Sequence, residues 1–272
     1  MRLNPRLGEK IAKTVIWTAA LSVIALLVFI ILYILVMGLP IINWQFLTDV
    51  PRDMGREGGI FSNIVGTVII TGVAILIAAP LGIGTAFYLS EYTREGAVTR
   101  FIRFSTDSLA AIPSIIYGLF GFIFFVIILG LGWSVLSGGL TLAFMILPTI
   151  IRTSEESIRA VPYMYREVSY SLSATKWQTT FKAVFPSALP GIVNGIILSV
   201  GRSVAETAAV VLTAGSDLRS RTMAVHFYTL ATEGISMENA YGTAALLIIL
   251  ILLINVVANM LVNRFMAKTV KR

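Results

Sequence analysis

The stretch TVIWTAALSVIALLVFIILYILVMGL, residues 14–39, carries no charged side chain from one end to the other. At 1.5 Å per residue it makes a helix about 39 Å long, longer than the roughly 30 Å hydrocarbon core of a bilayer. Its reading decides the fold class. In lipid every backbone polar group must be satisfied internally, and an uncharged run of this length does so as an α-helix. Arg2, Arg6, Lys10 and Lys13 precede it in the manner of a secretory leader. The apolar run nevertheless exceeds the roughly 7–15 residues of a leader's hydrophobic region, and no small-x-small cleavage pattern precedes Pro40, so a retained membrane helix is expected.

Five further runs of this character follow, at about 61–90, 108–132, 136–151, 188–214 and 241–263. The chain is 57% hydrophobic and 13% charged, against about 45–50% apolar in soluble domains. We therefore expect an all-α polytopic membrane protein with six transmembrane helices. It reads as a single domain over 1–272 with its core at about 61–263, because no polar stretch is long enough for a soluble unit. The absence of cysteine excludes disulfides and thiolate metal sites. The one histidine, His226, falls outside the apolar runs and reads as a solvated or hydrogen-bonded loop side chain, since a metal needs more ligands. The spans hold one acid and no histidine, too few groups for an intramembrane enzyme with paired carboxylates or an HExxH site.

Sixteen lysines and arginines flank one set of span ends, grouped around the N-terminus, 94–103, 152–182 and 264–272. Only Arg52, Arg56, Arg219 and Arg221 flank the other. The excess marks the cytoplasmic side, which receives both termini and the loop 152–187. The +7 net charge then reports topology, and no nucleic-acid partner is needed to explain it. Pro80, Pro113 and Pro148 punctuate three consecutive spans as kinks or hinges. In PLGIGTA, residues 80–86, small side chains invite close approach of a second helix.

The loop 152–187 has helical patterning of its own. Thr153 with Glu156 forms a capping box for a short helix that must end near Pro162. A second helix is expected over about 163–172. A second box, Thr175 with Gln178, opens a third, in which Trp177, Phe181, Val184 and Phe185 form one apolar stripe. Such helices either lie among lipid headgroups or fit a groove on a partner.

The stretch EVSYSLSATKWQTTFKAVFPSALPGI, residues 167–192, resembles the EAA loop of ABC importer permeases. Glu167 holds the glutamate position, Ser173 stands at the glycine position, Ala174 follows it, and Phe185 and Pro186 take the Leu-Pro place. Val168 and Ser169 depart from the two alanines. If the Ser173 position needs a left-handed backbone, serine costs about 1 kcal/mol relative to glycine. Four more segments, 80–92, 101–122, 147–162 and 201–215, are similar to permeases of the high-affinity phosphate importer, and the run 152–156 is more similar to its PstA type than to its PstC type. The resemblance implies a type I ABC importer permease fold, a transport subunit rather than an enzyme, in a bacterial or archaeal plasma membrane. It implies that Glu167, Ser173, Ala174, Trp177, Phe181 and Pro186 couple to an ATPase. The implied partners are two ATPase subunits, a paralogous permease in a heterodimer (or a second copy without one), an extracytoplasmic phosphate-binding protein and membrane lipids. ATP and magnesium would act in the ATPase subunits and no cofactor in this chain, which has no GxxxxGK[ST] loop. Permeases for sulfate, molybdate or phosphonate remain alternatives, as does a secondary transporter, which would need no docking loop.

The fifth span contains GRSVAETAAVVL, residues 201–212, with Arg202 and Glu206 inside an apolar run. Read as one helix, Gly191, Gly195, Ser199, Arg202, Glu206, Ala209 and Thr213 form a narrow small and polar stripe. Each central charge costs on the order of 2.5–3.5 kcal/mol on insertion scales. A pair about 4 Å apart gains roughly 4 kcal/mol at an effective dielectric near 20. The face should therefore look into protein or a wet cavity, as a substrate path or as a structural bridge. Arginine suits phosphate because its planar fork binds an oxyanion through two charge-assisted bonds. Glu206 is expected to hold Arg202 when the path is empty and to accept a hydrogen bond from a P–OH group when it is filled. Ser199 and Thr213 complete the expected path.

Overall fold

The computed structural model describes residues 5–215 and 221–269. Arg2, Arg219, Lys271 and Arg272, used in the topology count, lie outside the described residues. Helix α1 (Pro5–Gly38) follows the first apolar run and lies at the edge of the bundle, exposed over most of its length and touching the last helix at its end, where Tyr33 meets Tyr241 and Gly38 is buried against it. A 3-10 turn, Leu39–Ile41, leads to α2 (Trp44–Thr48), where Asn43 Oδ1 accepts from Phe46 N at 2.8 Å. Helix α3 (Phe61–Phe87) ends in a wider, π-type turn, Tyr88–Tyr92. Next come α4 (Ala97–Ala110) and α5 (Ser114–Gly121), the latter prolonged by a π-type stretch, Phe122–Ile128. After α6 (Val135–Ala160) follow α7 (Tyr163–Ser171) and α8 (Lys176–Thr179). A π-type turn, Thr180–Val184, joins α8 to α9 (Phe185–Val204). The chain ends through α10 (Ala208–Thr213), α11 (Met223–Thr232) and α12 (Met237–Thr269).

Among the described residues five helices are long and apolar enough to cross a membrane, and a sixth crossing exists only if α4 and α5 count as one span bent by 99°. The first, second and sixth expected spans stand. The third does not. Pro113 lacks an N–H and pushes Ile112 out of helical geometry, so the run turns sharply instead of crossing straight. Charged Arg103 on α4 faces α6, while Val98, Phe101 and Phe104 are exposed.

The expected helix start at Thr153 is also corrected. The fourth span and the first loop helix are one helix, α6, and Thr153 sits in its interior, where Oγ1 donates to Thr149 O at 2.9 Å. A capping box needs an extended residue at the cap, and here the turns on both sides are held helical by packing. The helix does stop before Pro162. The fifth span differs at both ends: it begins earlier, because α8 runs into α9 through the bulged turn, and it breaks after Val204.

The bundle core is built by α3, α6 and α9, with α5 and α10 at one side. Ile70, Ala74 and Ala78 pack with Leu142, Ile146 and Ile150. The small residues of PLGIGTA act as expected at Gly82, where a Cβ would lie 2.7 Å from Ile150 Cγ2. Toward the loop end, Ala86, Phe87, Ile158, Val184, Ala188 and Ile192 form a second cluster. Phe46, Ile60, Val204, Met223 and Leu247 form a third at the other end. Lipid tails are as apolar as these side chains, so close packing rather than escape from solvent holds the helices together.

Candidate functional site

The break in the fifth span falls between the two charges. Arg202 lies in the last turn of α9, Ala205 ends that helix, and Glu206 lies in the linker before α10. Each charge sits at the helix end whose dipole suits it, the cation at a C-terminus and the anion at an N-terminus. Glu206 Oε1 accepts from Ala209 N at 3.3 Å and so closes one of the open donors of α10. Its other carboxylate oxygen has no partner among the described residues.

This arrangement corrects the expected pairing. Among the described residues no hydrogen bond or ion pair joins Arg202 to Glu206, and Arg202 has no hydrogen-bond or ion-pair partner. A continuous helix would stack residues four apart on one face, but the break turns Glu206 away onto its own helix start. Both side chains remain partly exposed. The guanidinium is near enough to act on the Tyr117 hydroxyl, which donates to Leu109 O at 2.8 Å. Tyr117 carried no sequence signal, since aromatic residues are common throughout these spans.

The rest of the small stripe is a packing seam in two pieces. Gly191 and Gly195 lie against Ser157 and Thr153 of α6, and past the break Ala209 and Thr213 meet Gly118 and Gly121 of α5. Ser199 and Thr213 are fully buried. Their hydroxyls donate within their own helices, to Gly195 O at 2.9 Å and to Ala209 O at 2.7 Å. The structure thus brings Arg202 and Glu206 to one open break and places Ser199 and Thr213 behind it.

The other expected residues gather at the loop end. Ser173 has φ +59, the left-handed backbone that the motif's glycine would adopt without cost. Ala174 N donates to Ser169 O and Ser173 N to Tyr170 O, the paired bonds of a Schellman ending to α7. The Thr175 and Gln178 box forms as expected. The apolar stripe divides: Val184 is buried and Phe185 lies 5.7 Å from Phe87, while Trp177 and Phe181, 4.0 Å apart, face outward with Trp177 63% exposed. Glu167 and Pro186 are also exposed.

Polar groups that pattern reading missed sit nearby. Arg166, largely shielded, and buried Glu91 form an ion pair at 2.6 Å. Arg103 bridges Glu95 at 2.8 Å and Glu155 at 2.7 Å, and Arg159 joins both carboxylates. The hydrogen bond from Arg103 holds the Glu95 carboxyl below its ordinary pKa. Glu155 and Arg159 are four apart, an ordinary helix-pair spacing; the other partners lie 52 to 75 residues apart or, for Glu95 and Arg103, eight apart across a connecting turn, and no helical spacing announces those.

At the opposite end His226 corrects the loop reading. It lies on α11, is 1% exposed, and its Nδ1 is 3.3 Å from Arg221 Nη1. Arginine cannot accept a hydrogen bond, so Nδ1 accepts and the ring is neutral. Burial, then the Arg221 charge, lowers its pKa from 6.5 to about 4.

The geometry agrees with comparisons to known proteins. Residues 78–271 match the family described as binding-protein-dependent transport system inner membrane component. The chain is 32% identical over 283 residues to a probable ABC transporter permease, YqgI, of Bacillus subtilis, covering 95% of this chain and 96% of the relative. It is 35% identical to the phosphate transport system permease PstA 1 of Mycobacterium tuberculosis, over 79% of this chain and 72% of the relative. Its fold is like that of a bacterial alginate ABC transporter chain, solved with an alginate-loaded periplasmic protein, at TM-score 0.68 and 14% identity, covering 95% and 98% of the two chains. By its matched residues, its helical architecture and its full-length relatives, this chain belongs to the binding-protein-dependent transport system inner membrane components.

Proposed function

We propose that the chain is a permease subunit, of the PstA type, in an ATP-driven importer of inorganic phosphate. Its relatives named as phosphate permeases support this substrate. The observation that carries the site is the broken helix, which leaves the partly exposed guanidinium of Arg202 with no side-chain partner among the described residues. Transporters place discontinuous helices where a charged substrate must be held and released. In this reading Arg202 and Glu206 line the anion's path, and Ser199 and Thr213 border the break from the protein side. The guanidinium meets the oxyanion with its fork. The free oxygen of Glu206 accepts from a P–OH group, which sulfate lacks at neutral pH. The carboxylate also moderates attraction, so that the ion leaves as readily as it enters.

A paralogous permease, or a second copy, closes the other half of the path. Two ATPase subunits receive Glu167, Ser173, Ala174, Trp177, Phe181 and Pro186, and an extracytoplasmic binding protein delivers phosphate. ATP and magnesium act in the ATPase subunits. The loop end and both termini face the cytoplasm, as the basic residues favour. Uptake of labelled phosphate by reconstituted complex, with and without sulfate competition, tests the substrate. Arg202→Gln, assembled normally, is expected to lower uptake by about a hundredfold, the loss of a roughly 3 kcal/mol charge-assisted bond. Unchanged uptake would remove Arg202 from the path, and a complex that fails to assemble would make it a structural charge instead.

A further inference from the structure

Helix α7 is held to the bundle in an unusual way. It contains no buried residue, so no apolar face anchors it. Its tether is Arg166. Nη2 donates to Glu91 Oε1 at 2.6 Å and to Ile158 O at 3.0 Å. Nη1 donates to Val161 O at 2.9 Å, and Nε reaches Glu91 Oε1 at 3.1 Å. The side chains are 11% and 6% exposed. Ile158 and Val161 offer carbonyls at the C-terminal end of α6, where acceptors have few partners; Ile158 O also takes the cap N–H of Val161, at 3.3 Å. Glu91 belongs to the bulged turn that ends α3. One guanidinium therefore ties α7 to the ends of the two helices that form the bundle core.

Such a joint differs from an apolar contact. Two greasy surfaces slide over one another, whereas a fork seated on a carboxylate fixes direction as well as distance. Burial makes separation of the partners costly, so α7 cannot move far without carrying α3 and α6. Among the described residues a second side-chain link, Ser169 Oγ to Thr179 Oγ1 at 2.8 Å, joins α7 to α8 and stays within the loop end.

We propose that the Glu91–Arg166 pair is the joint through which displacement of α7 reaches α3 and α6, and that Arg166 is a positioning residue for transport rather than part of the docking surface. The inference rests on the reading of this chain as an ATP-driven permease. In the complete complex in proteoliposomes, anion carried per ATP hydrolysed is measured for Arg166→Lys, Glu91→Gln and the double variant. Arg166→Lys keeps the charge but loses the fork. Each single change is expected to lower the ratio by at least about fivefold while ATP hydrolysis continues, with the double variant no worse than either, as for residues acting as one unit. A merely structural role would reduce the amount of complex and leave the ratio unchanged, and an unchanged ratio overturns the proposal. Where Glu91→Gln does not assemble, Glu91→Asp is read by the same ratio. Failure of all these variants to assemble also overturns it, since the pair would then hold the fold and nothing more. Failure of the phosphate reading shows separately, as no phosphate uptake by the unaltered complex, and the ratio is then read with the oxyanion that complex does carry.

Discussion

Single side chains in this protein are governed by what they end up beside. Glu206 is an acid in an apolar run whose oxygen serves the start of α10. Glu206→Gln keeps an acceptor there and should leave stability unchanged, while Glu206→Ala should destabilise by about 1 kcal/mol, as loss of a helix cap does; thermal unfolding in detergent compares the two. His226 offers a pH test. Its pKa of about 4 in the folded chain, against 6.5, means the unfolded state binds the extra proton between those values. Stability contributed by the neutral ring is complete above pH 6.5 and is lost as pH falls toward 4, by roughly 3 kcal/mol at most. His226→Gln should flatten stability across that window, and a variant with the wild-type slope would assign the effect to other groups.

At the scale of elements, turns and helix ends explain both the successes and the failures of pattern reading. The capping box at Thr175 formed because its threonine is extended, with ψ 161. The equally good pattern at Thr153 did not, because Ile150 and Ile158 on either side are fully buried and keep α6 continuous. Local propensity is a weak prior that packing overrides. The left-handed Ser173 was legible only through its motif position. Ser173→Gly should stabilise by about 1 kcal/mol by relieving the Cβ strain, seen as a higher unfolding midpoint with unchanged docking. Gly82 tests the α3–α6 contact: Gly82→Val should destabilise by about 1–3 kcal/mol through overpacking against Ile150, and an unaltered midpoint would mean the helices part easily.

For the molecule as a whole, the outward pair Trp177 and Phe181 distinguishes a docking face from a lipid-lying one. Trp177→Ala is expected to weaken binding of the ATPase subunit by about 2 kcal/mol, near thirtyfold, as removal of a central aromatic anchor does; titration of detergent-solubilised components measures it. Unchanged binding would place the ring among lipid headgroups. Length, charge and apolar runs were enough to establish a helical membrane protein, its loop end and its family motif, because hydrophobicity and loop spacing are local properties that survive in one dimension. Three features were decided only by tertiary structure: the bend between α4 and α5, the break that separates Arg202 from Glu206, and the pairing of buried Glu91 with Arg166. Each depends on which distant helix lies alongside, and close packing, which chooses those neighbours, acts between residues that the sequence keeps far apart.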